Sequence, residues 1–93
     1  MQFEYDPEKS KKNKEKHGID FEEAKELWNG EIVEVPVESE VESRFMVIGK
    51  ILEKFWSAFI TYREAVTRII SVRRSRDKEK KIYENNNQKD ANS

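Results

Sequence analysis

Arginine carries a planar, permanently charged fork that grips phosphate through two parallel hydrogen bonds. All six arginines of this 93-residue chain follow position 43, and five of them, Arg63, Arg68, Arg73, Arg74 and Arg76, fall within fourteen residues. The chain has a single histidine, His17, and no cysteine. Disulfides, thiolate metal sites and a cysteine nucleophile are therefore excluded, as are multi-histidine zinc sites and any mechanism that needs two imidazoles. The net charge of −1 conceals a strong division. Residues 20–42 hold nine acids and one base, a balance of −8, whereas residues 63–81 hold eight bases and three acids, a balance of +5. The basic end points to an anion or RNA partner. A solvated helix with ordinary surface arginines would give the same composition.

Those cations need elements to hold them. Ninety-three residues make one small domain. With 40% charged and 35% hydrophobic residues the composition approaches that of disordered chains, but ten aromatics and alternating apolar runs argue for a fold. Phe3-Glu4-Tyr5 alternates as a short edge strand would. Asp6 and Pro7 open a helix over 7–17 that His17-Gly18 ends. This helix has no apolar stripe; Ser10, Asn13 and His17 form its least charged face and are expected to turn inward. Asp20 and Glu23 form a capping box for a second helix ending at Asn29-Gly30, with Phe21, Ala24, Leu27 and Trp28 as its apolar stripe.

From residue 31 the period becomes two. Val33, Val35 and Val37 predict a strand, and Pro36 marks it as an edge. Residues 44–51, 54–62 and 66–74 predict three more strands, joined by links short enough for an antiparallel meander. Ser75 caps a lysine-rich last helix over about 76–85, and residues 86–93 read as a disordered tail. The expected architecture is α+β: two N-terminal helices, an antiparallel four-stranded sheet and a C-terminal helix, with residues 1–85 as one domain. The middle strands are apolar on both faces, which predicts a surplus of apolar surface to be covered by a second copy or another protein. No apolar run approaches the ~18 residues of a membrane span. Met1-Gln2-Phe3-Glu4 lacks the basic start and apolar stretch of a secretory signal, so the cytoplasm is the expected compartment.

The run Tyr5-Asp6, Lys9, Asn13, Lys16-His17-Gly18-Ile19, then Phe21-Glu22-Glu23-Ala24, resembles the opening of the BrnT family of toxins from bacterial and archaeal toxin–antitoxin modules. Arg44-Phe45, Gly49-Lys50 and the run Arg68-Ile69-Ile70-Ser71-Val72-Arg73-Arg74-Ser75 resemble that family's central and closing strands. The likeness covers about residues 2–84, and its two distant blocks occur in the family's order. Tyr5 stands where the family often has tryptophan. The resemblance implies a RelE-like fold and a small ribonuclease that cuts RNA without a metal or other cofactor and blocks translation. It also implies a BrnA-type ribbon-helix-helix antitoxin as partner, and a homodimer or a toxin–antitoxin heterotetramer.

For a metal-free cut the RNA's own 2′-hydroxyl attacks the neighbouring phosphorus. The protein then has to stabilise the added negative charge and move two protons. On an alternating strand Arg73 and Arg74 point to opposite faces. Val66, Ile70 and Val72 share the Arg74 face and read as core, while Ile69 and Ser71 share the Arg73 face. Arg73 is therefore favoured as the phosphate ligand. His17, Glu64, Lys16 and Tyr5 are the candidate acid–base groups, although each also has a plain structural use as a helix-end, turn or packing residue. Arg74, Arg68, Arg76, Lys78, Lys80 and Lys81 are candidates for tracking the RNA backbone. The cations of the last strand are expected to converge on one pocket, and Arg73→Ala is expected to abolish cleavage while the fold survives.

Overall fold

Asp6 accepts a hydrogen bond from the Glu8 N–H at 2.9 Å, and Pro7 takes the first helical position. These two residues turn the chain from strand β1 (Gln2–Glu4) into helix α1 (Pro7–His17). Gly18 ends the helix at φ 80°, a left-handed conformation that favours glycine. Asp20 and Glu23 then form the reciprocal capping box, at 2.7 and 3.0 Å, that starts α2 (Phe21–Ala24). After four residues α2 tightens into a 3₁₀ turn, Lys25–Asn29, so the expected second helix is two short pieces. Strands β2 (Val33–Val37), β3 (Arg44–Ile51), β4 (Lys54–Arg63) and β5 (Val66–Arg74) follow, and then helix α3 (Asp77–Asn92).

The computed structural model describes residues 1–92, with side chains as far as Asn86. Most of the tail expected at 86–93 therefore falls outside the described side chains. The sheet order is β1-β5-β4-β3-β2. This corrects the expected four-stranded antiparallel sheet: the sheet has five strands and is mixed, because β1 pairs in parallel with β5, from Gln2↔Val66 to Glu4↔Arg68. The two strands are far apart in sequence, so no hairpin imposes an antiparallel sense.

The remaining pairs are antiparallel and meander as expected. A bulge in the β4–β5 ladder puts Ser71 opposite Phe59 and Ile69 opposite Ile60, leaving Ile70 as the extra residue. The bulge reverses the expected faces. Ile69 joins Val72 in the core beneath the N-terminal helices, whereas alternation alone had placed it beside Arg73.

One face of the sheet (Val47, Ala58, Ile60, Ile69, Val72) packs on Ile19, Phe21, Ala24 and Leu27. Gly49 lies under the 3₁₀ turn, where an added Cβ would come within 3.1 Å of Leu27 Cδ2. The other face (Met46, Ile48, Phe55, Phe59) meets Tyr83 and Ile82 of α3. The predicted surplus of apolar surface is not seen. The strongly exposed large apolar side chains among the described residues are Met1, Val41, Leu52 and Tyr62, scattered at ends and turns. Ile82 and Tyr83 of α3 suffice on this face because β2 adds its valines to it, where Val33, Val35 and Val37 are half-buried.

Helix α1 docks without an apolar stripe, through polar groups. β1 covers the outer edge of β5 only as far as Arg68. Beyond it, the Asn13 amide donates to Val72 O at 2.9 Å and accepts from the Val72 N–H at 3.2 Å, as a neighbouring strand would. The same amide donates to Ile19 O at 2.8 Å, and Ser10 Oγ accepts from the Phe21 N–H at 2.9 Å. Ser10 and Asn13 are both buried, as their low charge predicted. Asn13→Ala would leave buried backbone groups without partners, at about 1–3 kcal/mol. Urea unfolding is expected to show a loss of that size; unchanged stability would mean that α1 is held by something else.

Candidate functional site

Helix α1 carries five lysines and two glutamates. The Asn13 contact turns a defined part of that charge toward β5. Lys9, Lys12, Lys16 and His17 line a cleft of about 230 Å³ with Asn13, Phe21, Ile70 and Ser71. Lys9, Lys12 and Lys16 recur at i, i+3 and i+7, one face of a helix. No carboxylate lines the cleft. Lys14, outside it, is the α1 lysine that a carboxylate claims, at 2.7 Å from Glu23. The result is a groove with three ammonium groups and one imidazole, opening at the bulge where β5 leaves its regular ladder. Such a groove suits a polyanion, because none of the described ion pairs engages Lys9, Lys12 or Lys16.

The arginines of β5 do not converge. Arg73 lies on the α3 side. Its two terminal nitrogens donate to the Glu79 carboxylate at 2.8 and 2.7 Å, and its guanidinium stands over the Phe59 ring at 5.1 Å. Glu79 is 3% exposed and also accepts from the Arg76 N–H at 2.9 Å and from Ser57 Oγ at 2.8 Å. Burial pushes the Glu79 carboxyl up, but Arg73, the Arg76 N–H and the Ser57 hydroxyl together outweigh it and hold the pKa at about 2. The Arg76–Glu79 contact is also half a capping box, so α3 starts from Arg76; Ser75, expected as the cap, instead bonds Ser57 at 2.8 Å.

Arg74 points the opposite way. Its guanidinium lies 5.4 Å from the centre of the Trp56 ring, and its Nε donates to Phe55 O at 3.3 Å. The described ion pairs include none for Arg74.

A family model described as a ribonuclease toxin, BrnT, of type II toxin–antitoxin systems matches residues 5–79. The chain belongs to this family. No curated protein matches it. The BrnT match spans α1, the cleft, strands β2 to β5 and the Glu79 end of α3.

Within this BrnT chain the proposed acid–base residues part company. His17 and Lys16 share the cleft. Tyr5 instead donates to Glu22 at 2.7 Å and packs edge-on against Phe21. The hydrogen bond to Glu22 raises the phenol's pKa above its usual value, which suits a packing residue better than an acid. Glu64 sits in the exposed β4–β5 turn at φ 57°. Four residues of β5, Val66 to Ile69, lie between that turn and Ile70, roughly 13 Å at the strand rise.

Of the residues expected to track RNA, Arg68 lies 3.7 Å from Glu4, and Lys80 lies 4.0 Å from Asp77. Arg76, Lys78 and Lys81 are exposed on and before the first turns of α3. Sequence reasoning missed Lys12, Ser71 and Glu79 and undervalued Lys9. The lysine spacing on α1 was a usable signal, and so was an acid set alone among Lys78, Lys80 and Lys81. No helix among the described residues is long and apolar enough to cross a membrane.

The buried pair revises what Arg73→Ala can report. Without Arg73 the Glu79 carboxylate is buried and unpaired, at a cost on the order of 3–5 kcal/mol. The expected outcome is a destabilised protein, partly restored by adding Glu79→Gln; wild-type stability of the single variant in urea would show that the pair does not hold α3. The folded-state pKa of Glu79 lies well below the ordinary carboxylate value. Its contribution is therefore complete above that value and lost as pH falls toward 2. Unfolding measured from pH 6 to 2 should show a steep loss of stability that Glu79→Gln flattens; parallel curves would remove Glu79 as the cause.

Proposed function

We propose that this BrnT-family chain is a metal-independent endoribonuclease that acts in the cytoplasm to block translation, with the α1–β5 cleft as its RNA site. A BrnA-type ribbon-helix-helix antitoxin neutralises it, in a heterotetramer of two toxin–antitoxin pairs. The family match supports the toxin, and one observation carries the choice of site: His17 and three lysines share a groove that no carboxylate lines.

The cleft supplies the three requirements of the reaction. Lys9 and Lys12 sit where a phosphate crossing the groove meets fixed positive charge, which counts for most as the phosphorus becomes five-coordinate. His17 takes the proton of the attacking 2′-hydroxyl. Lys16 delivers a proton to the departing 5′-oxygen. The new bond joins O2′ to phosphorus and the P–O5′ bond breaks, leaving a 2′,3′-cyclic phosphate and a 5′-hydroxyl. General acid–base help of this kind gives roughly 10²–10⁴-fold per group. Arg73, the first choice from sequence, fits better as the clamp for α3, because both of its terminal nitrogens are engaged by Glu79.

A second reading is a non-catalytic protein that binds RNA or serves as a scaffold for an antitoxin. The distance of Glu64 from the cleft and the engagement of Tyr5 by Glu22 favour it, since they reduce the acid–base set to two groups. Purified protein incubated with RNA in EDTA separates the two. The proposal expects cut RNA ending in cyclic phosphate, and a loss of about 10²-fold or more in His17→Ala. Intact RNA with wild-type protein supports the binder, and wild-type cutting by His17→Ala removes the assignment.

A further inference from the structure

We infer that Arg74, stacked on Trp56, and the hollow beside it form a seat for one unpaired nucleobase of the RNA. This rests on the reading of the neighbouring cleft as an RNA site. Arg74 and Trp56 are cross-strand partners on β5 and β4. Two contacts hold the guanidinium in place: the Trp56 indole, 5.4 Å from ring centre to Cζ, and the Phe55 carbonyl that accepts from Nε at 3.3 Å. Trp56 is 9% exposed whereas Arg74 is exposed. The guanidinium lies against the indole, and the residue still reaches solvent. A flat cation held in this way is a stacking surface for a base, since every base has a π-face and arginine planes receive them.

Trp56 also lines a hollow of about 190 Å³ with Ile19, Ile51, Leu52, Lys54 and Glu23, whose carboxylate is held by Lys14 at 2.7 Å. The hollow continues to Gly18, the residue after His17, where an added Cβ would meet nothing within 4 Å. A base extruded from a strand whose phosphate lies by His17 has this apolar space within reach. Leu52 stands at its rim, 90% exposed and at φ 49°, a conformation uncommon for a leucine. The two-residue β3–β4 turn that holds it there presents an apolar side chain to water at the edge of this hollow. Lys54 adds a second cation for the phosphate on the far side of the base. A base seated here would be recognised by stacking, with little hydrogen-bond readout, so the seat selects unpaired RNA over duplex and discriminates weakly among bases.

Trp56 reports on this directly. The chain has two tryptophans, so Trp28→Phe leaves Trp56 as the only one. That protein is titrated with a 2′-O-methyl oligonucleotide, which cannot be cut, and with an abasic sugar–phosphate of equal length. The expected result is that the base-bearing strand changes Trp56 emission and the abasic one does not. Arg74→Lys, which keeps the charge and loses the plane, should bind the base-bearing strand about tenfold or more weakly and the abasic strand as before. The same titrations read by anisotropy of a labelled oligonucleotide on the chain with both tryptophans remove dependence on Trp28→Phe. Equal binding by Arg74→Lys and the wild type, equal response to the abasic strand, or no binding at all overturns the seat. A base-dependent response from a wild-type protein that leaves ordinary RNA uncut keeps the seat and removes the nuclease reading.

Discussion

The Asn13 amide stands where another strand of the sheet would otherwise run. It pairs with both backbone groups of Val72 and with the carbonyl of Ile19, and so holds three segments with one side chain. Helix α1 offers the core no apolar stripe, and a helix of eleven residues has little stability of its own. Its position is therefore set by buried hydrogen bonds, which constrain direction far more closely than apolar contact does. That constraint sets the rest of the site. With Asn13 fixed, Lys9, Lys12 and Lys16 have a single helical face to occupy, and the same contact brings that face against the β5 bulge.

Glu79 makes the complementary selection among the arginines. A carboxylate with almost no access to water is costly unless its neighbours satisfy it, and here a guanidinium, a backbone N–H and a hydroxyl do so. The price is that Arg73 is committed. Arg74, one residue later and on the other face, has no such claimant among the described ion pairs. Alternation along a single strand thus sorts two adjacent arginines into a clamp for α3 and a cation facing solvent. The clamp also fixes where β5 ends, because Arg76 begins α3 on the same carboxylate.

Much of the fold was legible in the chain. Pro7, Gly18 and the Asp20–Glu23 box set the N-terminal helices, and the period-two runs gave β3 and β5 at their observed limits, because each signal is local. Long-range features were not legible. The parallel pairing of β1 with β5 joins segments more than sixty residues apart. The bulge at Ile70 depends on how β4 lies against β5, and no run of residue types announces it. Of the residues singled out by type, the lone His17 and the helix-end Lys16 line the cleft. Tyr5 and Glu64 were candidates by type alone, and packing assigned them elsewhere. Arg73 was chosen by its face on the strand, but its partner, six residues on, could be paired with it only once α3 was docked.

The central claim is that RNA lies across the α1–β5 cleft, on the side of the sheet away from α3. Amide hydrogen exchange of the wild-type protein with and without an uncleavable single-stranded RNA tests it most directly. The account predicts new protection over residues 9–18 and 70–74, and over 51–56 where the base is seated, with 77–86 unchanged. Protection over 77–86 without any over 9–18 would place the RNA on the α3 face and contradict it.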